Sequence, residues 1–354
     1  MNQTLKNDYQ MLAESNLPFD QYRNKTFLVT GATGLIGSLL VKNLLYCNEC
    51  LQLNLHVIAV IRNMEKAKKI FAAEMDQQAL EFVIWDMGTP AAEENLNVSA
   101  DYVIHTAAVT TSKDMVQFPV ESIKTAVNGT MSVLEFARKC KADSIVYLSS
   151  MEVYGKVYVE NHKIQEEELG YVDLSAVRSC YPEGKRICEC MCTAYAKQYG
   201  MNIKVARLAQ TFGPGILPGE NRVFAQMARS VIHEEDIVLH TQGLSEGNYV
   251  YTCDAIRAIL MLLTEGASGE AYNVANEASH MSIRDMAEMV AHEVAKDKIK
   301  VVLDIPEDVQ KMGYAPDVKM HLSARKLEKL GWKPQISLRE TYERMIQYMK
   351  DNRI

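Results

Sequence analysis

The sequence predicts an α/β protein built on a doubly wound parallel sheet, with a smaller C-terminal substrate-binding lobe. Three observations predict it. Short β-rich runs alternate with longer helical stretches from Thr26 onward. A glycine-rich turn joins the first of those runs to the first helix. After Ala206 the rhythm breaks into a Gly/Pro-rich loop, Phe212 to Gly219.

The elements follow in order. Residues 1–24 form a polar N-terminal extension with a short helical pattern around Tyr9 to Ala13. The first strand is Thr26 to Thr30, followed by an apolar-periodic helix from about Leu35 to Leu45 and a second strand from Leu55 to Ile61, which completes a βαβ unit. Further strands read at Phe82 to Trp85, Tyr102 to His105, Ser144 to Ser149 and Ile203 to Ala206. This places a dinucleotide-binding unit at 25–212. Tyr249 to Leu263 and Ala271 to Val274 look like a helix and strand that rejoin it, so 244–275 is expected to belong to the first sheet. The lobe takes 213–243 and 276–354.

Composition narrows the function. The 354 residues are 48% hydrophobic and 23% charged, which suits a folded globular chain. Lys+Arg 38 against Asp+Glu 45 gives a net charge of -7 and a pI near 5.7, so no basic footprint points to nucleic acid or an anionic membrane. No apolar run is long enough to span a bilayer, and the polar start shows no signal peptide. Eight cysteines are too sparse for a disulfide scaffold and are expected as reduced thiols of a cytoplasmic protein. Cys47 and Cys50 form a lone C-x-x-C without partners at zinc spacing, so no metal site is expected. Cys188, Cys190 and Cys192 alternate along a helix and read as core or surface thiols.

The chemistry starts at Thr30 to Ser38, TGATGLIGS. Gly31, Gly34 and Gly37 allow a tight turn, a close approach to a pyrophosphate, and close helix-to-strand packing, while the helix N-terminus offers free N–H groups. Thr33, Leu35 and Ile36 share that turn and join the candidate cofactor contacts. A Rossmann-type site is therefore expected beyond the carboxyl ends of the strands. At the end of the second strand stands Arg62, which suits the 2′-phosphate of NADP over the 2′-hydroxyl of NAD; the cofactor is NAD or NADP, with Arg62 favouring NADP. Asp86, with Met87 beside it, follows the third strand and is placed to accept a bond from an adenine amino group, although such an Asp also caps turns.

Tyr181 and Lys185 stand i,i+4 on a helix downstream of the fifth strand, which ends in LSSMEVYG, Leu148 to Gly155. A tyrosinate stabilised by an ammonium and by an oxidised nicotinamide can exchange a proton with a substrate hydroxyl as hydride moves. Tyr-x-x-x-Lys alone is weak among 17 tyrosines; its position at the expected ligand edge gives it meaning.

With these motifs, the sequence resembles the extended short-chain dehydrogenase/reductase family, the NAD(P)-dependent epimerase/dehydratases that remodel nucleotide-linked sugars. The resemblance runs from about Lys25 to Met349 and rests on TGATGLIG, HTAA at His105 to Ala108, SSMEVYG, Tyr181 with Lys185, RLAQTFGPG at Arg207 to Gly215, and LGWKP at Leu330 to Pro334. It implies Tyr181 as acid/base, Lys185 as its pKa tuner and ribose ligand, Ser150 as the hydroxyl on the reacting oxygen, and Ala107 and Ala108 as small residues beside the dinucleotide. In similar dehydratases an acidic pair follows the Ser150 position. Here those positions hold Met151, which cannot donate a proton, and Glu152, which can still serve as a base, as in similar decarboxylases. At the nucleotide diphosphate, Gln210 replaces an asparagine and Gly247 stands where the resemblance implies an arginine, which weakens the usual clamp; Ala126 replaces a further asparagine. Arg222, next to Asn221 in GENRVF, remains the candidate diphosphate ligand, and Met151, Gln210 and Asn221 join it as candidate substrate contacts.

Two mechanisms follow. In one, internal redox with a retained dinucleotide gives epimerisation, dehydration or decarboxylation of a nucleotide sugar. In the other, NADPH reduces a keto-sugar or nucleotide-linked ketose outright. A non-catalytic dinucleotide sensor is the alternative of a different class. The resemblance also implies a homodimer.

Overall fold

The structure, a computed structural model, is described over residues 2–89, 96–157, 162–306 and 318–354. The remaining residues of the 25–212 and 276–354 ranges lie outside the described part.

The first half alternates β1 (Thr26–Thr30), α3 (Leu35–Leu51), β2 (His56–Ile61), α4 (Met64–Ile70), β3 (Leu80–Ile84), β4 (Tyr102–His105), α5 (Ser112–Gln117), α6 (Pro119–Cys140), β5 (Ser144–Ser150), α7 (Cys180–Tyr199) and β6 (Ile203–Leu208). Two short helices, α1 (Gln3–Ala13) and α2 (Phe19–Tyr22), precede them. With β10 (Ala271–Val274) these strands form one seven-stranded sheet in the order β10-β6-β5-β4-β1-β2-β3, with every neighbour parallel. Phe27, Leu28 and Val29 on β1 are fully buried on both faces, as expected of a run covered by helices above and below. The chain moves outward from β1 to β2 and β3, then returns to the other side of β1 at β4. That reversal opens a crevice between the carboxyl ends of β1 and β4.

Strand boundaries fall within two residues of those read from the sequence. The first helix runs six residues beyond Leu45, through Leu51, before Gln52 ends it in a left-handed conformation. Tyr249–Tyr251, which reads from the sequence both as the head of a helix and as an aromatic strand, is a strand: β9 (Glu246–Tyr251) holds it, and α9 (Thr252–Glu265) begins after it. The aromatic alternation of this stretch suits a pleated surface, and both sides of it are buried.

Outside the large sheet, β9 lies between β7 (Gln210–Phe212) and β11 (Asn276–Ser282), and β8 (Ile237–Leu239) pairs with β12 (Val301–Leu303). A second apolar core gathers here from α8 (Val223–His233), α10 (Ile283–Met289) and α12 (Leu338–Asn352), centred on Phe212 and Phe224, whose rings stack at 4.4 Å. Residues 320–336, read from the sequence as part of the lobe, pack instead into the core of the large sheet through Leu322, Leu327 and Trp332, with α11 (Arg325–Glu328) among them. The buried carboxylate of Asp254 holds them there by accepting from the Gln335 and Ile336 amides.

The N-terminal extension is part of the same core. Leu5, Tyr9 and Leu12 of α1 are buried, and Asp8 accepts from the Tyr251 hydroxyl at 2.6 Å and from Arg344 at 2.8 Å. Burial pushes the Asp8 carboxyl up to about 6, against the pull of both partners. Among the described residues, no helix is long and apolar enough to cross a membrane. All eight cysteines are free; Cys47, Cys188 and Cys192 are buried, while Cys50 and Cys190 are exposed.

Candidate active site

The crevice between β1 and β4 is shaped by glycine. Gly31 adopts φ +63°, and a β-carbon on it would lie 2.7 Å from Thr106 Oγ1 and 2.9 Å from the Ala107 backbone. A β-carbon on Gly37 would lie 2.3 Å from the Gly31 carbonyl oxygen, so helix and turn touch through bare backbone. Gly34 caps α3 without any side-chain bond, which leaves the first amides of Leu35 and Ile36 open toward the crevice beside Thr33. This cradle, too tight for side chains and rich in free N–H groups, fits the pyrophosphate of a dinucleotide.

A buried relay fixes the opposite wall. Thr30 Oγ1 accepts from the amides of Thr106 (3.1 Å) and Ala107 (3.2 Å), so its own proton points to His105 Nδ1 at 2.7 Å. His105 Nε2 then donates to Thr130 Oγ1 at 3.3 Å, which in turn donates to Cys188 Sγ. Burial, helped by Lys185, holds His105 down to about 3 and thus neutral. The HTAA motif is therefore a scaffold that sets Ala107 and Ala108 against the glycine turn.

The other expected cofactor contacts lie on the same carboxyl edge. Arg62 is exposed immediately after β2, and Asp86 is exposed after β3 with its Oδ1 accepting from the Gly88 amide. Met87 is buried against Gly129.

Tyr181, Lys185 and Ser150 come together at the end of β5. Ser150 lies near the phenol of Tyr181 and lowers its pKa, and its Oγ accepts from the Glu152 amide at 3.2 Å. Lys185, fully enclosed, donates to the Leu148 carbonyl at 2.6 Å and lies 6.0 Å from the Tyr181 ring centre. Burial lowers its ammonium to about 8. Burial raises the Tyr181 phenol above its ordinary value and Glu152 adds to this, while Ser150, Arg178 and Arg222 pull it back. The cations that pull it back most are the two arginines, while Lys185 donates to the Leu148 carbonyl.

Arg178 was not visible in the sequence pattern. It sits on a 3-10 turn, Val177–Ser179, at the start of α7 and grips both oxygens of Glu152 at 2.8 and 2.9 Å. Glu152, Met151 and Tyr154 share the preceding 3-10 turn, Met151–Tyr154. The far end of that turn is locked: the Tyr154 hydroxyl donates to Asn273 at 2.6 Å and accepts from Arg207, which also forks onto Glu189 of α7.

The expected diphosphate ligands are less free than their sequence suggests. Arg222 is exposed but forks onto Glu220 at 3.0 and 2.7 Å. Asn221 accepts from Arg229, a second cation of α8 that no motif singled out. Gln210 is half-buried at the start of β7, in register with Tyr249.

The comparisons agree with this geometry. The family model described as "NAD dependent epimerase/dehydratase family" matches residues 27–275. The chain is 31% identical over 318 residues to UDP-glucuronic acid decarboxylase 6 of Arabidopsis thaliana, covering 90% of this chain and 86% of that one. It is 28% identical over 328 residues to UDP-glucuronic acid decarboxylase 1 of Xenopus tropicalis, covering 92% and 72%. Among solved structures, a UDP-glucose 4-epimerase with UDP-glucose from Thermotoga maritima superposes with a TM-score of 0.76 at 23% identity, over 93% of this chain and 100% of that one. A dTDP-glucose 4,6-dehydratase from Streptomyces venezuelae with NAD bound gives 0.75 at 22% identity, over 93% and 98%. At such identities the structural likeness speaks for the fold. The family match, which spans most of the chain and includes the glycine cradle and the Tyr181 helix, carries the assignment: the chain belongs to the NAD-dependent epimerase/dehydratase family and is an enzyme of that family.

Proposed function

We propose that this enzyme modifies a nucleotide-activated sugar by internal redox at a carbinol carbon, with the dinucleotide retained between turnovers. The observation that carries the reading is the meeting of Ser150, Tyr181 and Lys185 at the edge of the glycine cradle, with Glu152 two positions after Ser150. The dinucleotide, when bound there, supplies a hydride acceptor beside the substrate. Tyr181 takes the substrate hydroxyl proton and later returns it, and Ser150 hydrogen-bonds the same oxygen. Enclosed Lys185 is the nearest ammonium to the Tyr181 ring and a candidate ribose ligand. Glu152 is the carboxylate left to take a carbon-bound proton, and Arg178 fixes where its oxygens lie. Met151 offers no proton, which favours epimerase chemistry over dehydration. The lobe built around α8, α10 and α12 supplies substrate contacts, with Gln210, Asn221 and Arg222 at its border.

Arg62, exposed at the end of β2, favours a second reading: net reduction of a keto-sugar by NADPH. A homodimer is supported by the paired helices α6 and α7, which leave Val120, Ile123, Met131, Ile187 and Tyr199 exposed. One experiment addresses the chemistry. Mass spectrometry of the released ligand and titration with the four nicotinamide forms are combined with Tyr181→Phe. Tightly held dinucleotide and a thousandfold loss of conversion in the variant are expected; unchanged conversion in Tyr181→Phe refutes the catalytic reading, and freely exchanging NADPH moves it to the reductase.

A further inference from the structure

Two departures from the family pattern, far apart in sequence, meet beside the catalytic serine. Met151 follows Ser150 directly, and its Cε lies 3.8 Å from the position a β-carbon would take on Gly247. The thioether thus covers the bare backbone of β9, and each residue occupies space the other leaves open.

The charges around this contact are already engaged. Both nitrogens of Arg178 that face the site hold Glu152, Arg222 holds Glu220, and Lys185 holds the Leu148 carbonyl. A substrate carboxylate arriving here would lose water against a methyl group and a glycine, next to the negative Glu152. Pulling Arg178, a neighbouring cation among the described residues, off Glu152 would leave that carboxylate bare beside Tyr181. A hydrogen, methyl or hydroxymethyl substituent meets no such cost and buries apolar surface.

We infer that Met151 and Gly247 together determine specificity: they form an apolar shelf that admits a nucleotide sugar with an uncharged ring substituent and rejects a uronic acid. The inference rests on the nucleotide-sugar reading above, and it separates this chain from the decarboxylases it resembles.

The test is calorimetric titration of the dinucleotide-loaded protein. UDP, dTDP, CDP and GDP are first titrated to find the nucleotide that binds. Matched glucose and glucuronic acid esters of that nucleotide are then compared. The glucose ester is expected to bind at least tenfold more tightly, and Gly247→Arg is expected to shrink that ratio at least fivefold. Because Gly247 is buried, Met151→Lys serves as a second variant if the first does not fold. A ratio below tenfold in the unmodified protein overturns the inference while leaving the nucleotide-sugar reading intact. A ratio unmoved in a folded variant removes the shelf's role. Failure of all four nucleotides and their sugars to bind overturns the nucleotide-sugar reading and the inference with it.

Discussion

Replacing His105 with asparagine should flatten the acid sensitivity of this protein by an amount that the structure allows to be calculated. His105 is 3% exposed, and its pKa is held at about 3, against 6.5 for an open imidazole. The unfolded chain therefore binds a proton between these values and the folded chain does not, so stability falls as pH falls through that window. The contribution is fully present above pH 6.5, erodes by about 1.4 kcal/mol per pH unit below it, and is exhausted near pH 3. Between pH 7 and pH 5 the native protein should lose about 2 kcal/mol that the variant keeps. Asparagine can accept the Thr30 bond at the Nδ1 position and carries no titrating group, so its own cost is constant with pH. Urea unfolding of both proteins at pH 7, 6 and 5, under one ligand condition, gives the difference directly, because the other histidines are common to both. Parallel curves would refute the reasoning and show that His105 is not a buried neutral base.

Three further outcomes follow from the geometry. Gly37→Ala drives a methyl to 2.3 Å from the Gly31 oxygen, so dinucleotide affinity measured by calorimetry should fall at least a hundredfold. Asp8→Ala strands the buried Tyr251 hydroxyl and leaves Arg344 with Glu340 alone; chemical denaturation should show a loss of about 2 kcal/mol at pH 7, with α1 losing protection in hydrogen exchange. Arg62→Asp should move the ratio of NADP to NAD affinity toward NAD at least tenfold, and an unmoved ratio would show that this side chain does not read the 2′ position.

The glycine cradle was legible because part of its constraint is local: Gly37 and Gly34 approach the Gly31 backbone within seven positions, whereas the contact of Gly31 with Thr106 and Ala107 is long-range. The strand order needed no more than alternation and the rule that parallel strands are joined by helices. What could not be read depends on partners distant in the chain. Helix α1 looks polar in sequence, yet Asp8 is buried because its two partners arrive from 243 and 336 residues away. Arg178 carries no spacing signal toward Glu152, 26 residues earlier, since the intervening loop has no period to count. Arg222 was visible as a cation, but its engagement by Glu220 is a matter of rotamer and burial that composition does not encode. The pattern at Tyr249–Tyr251 fits either a strand or the head of the following helix, and the neighbouring β7 and β11 decide in favour of the strand.

The Met151–Tyr154 turn has unequal ends, and this bears on how such enzymes change their chemistry. Tyr154 is tied through Asn273, Arg207 and Glu189 to two strands and the helix that carries Tyr181, so substitutions there disturb the whole scaffold. Met151, three residues earlier, is half-buried and touches the Gly247 backbone. A lineage can therefore exchange its proton donor, or the shape of its substrate, at one end of a four-residue turn while the other end keeps the reacting groups in register. Divergence within this fold then requires very few mutations, and its intermediates remain folded.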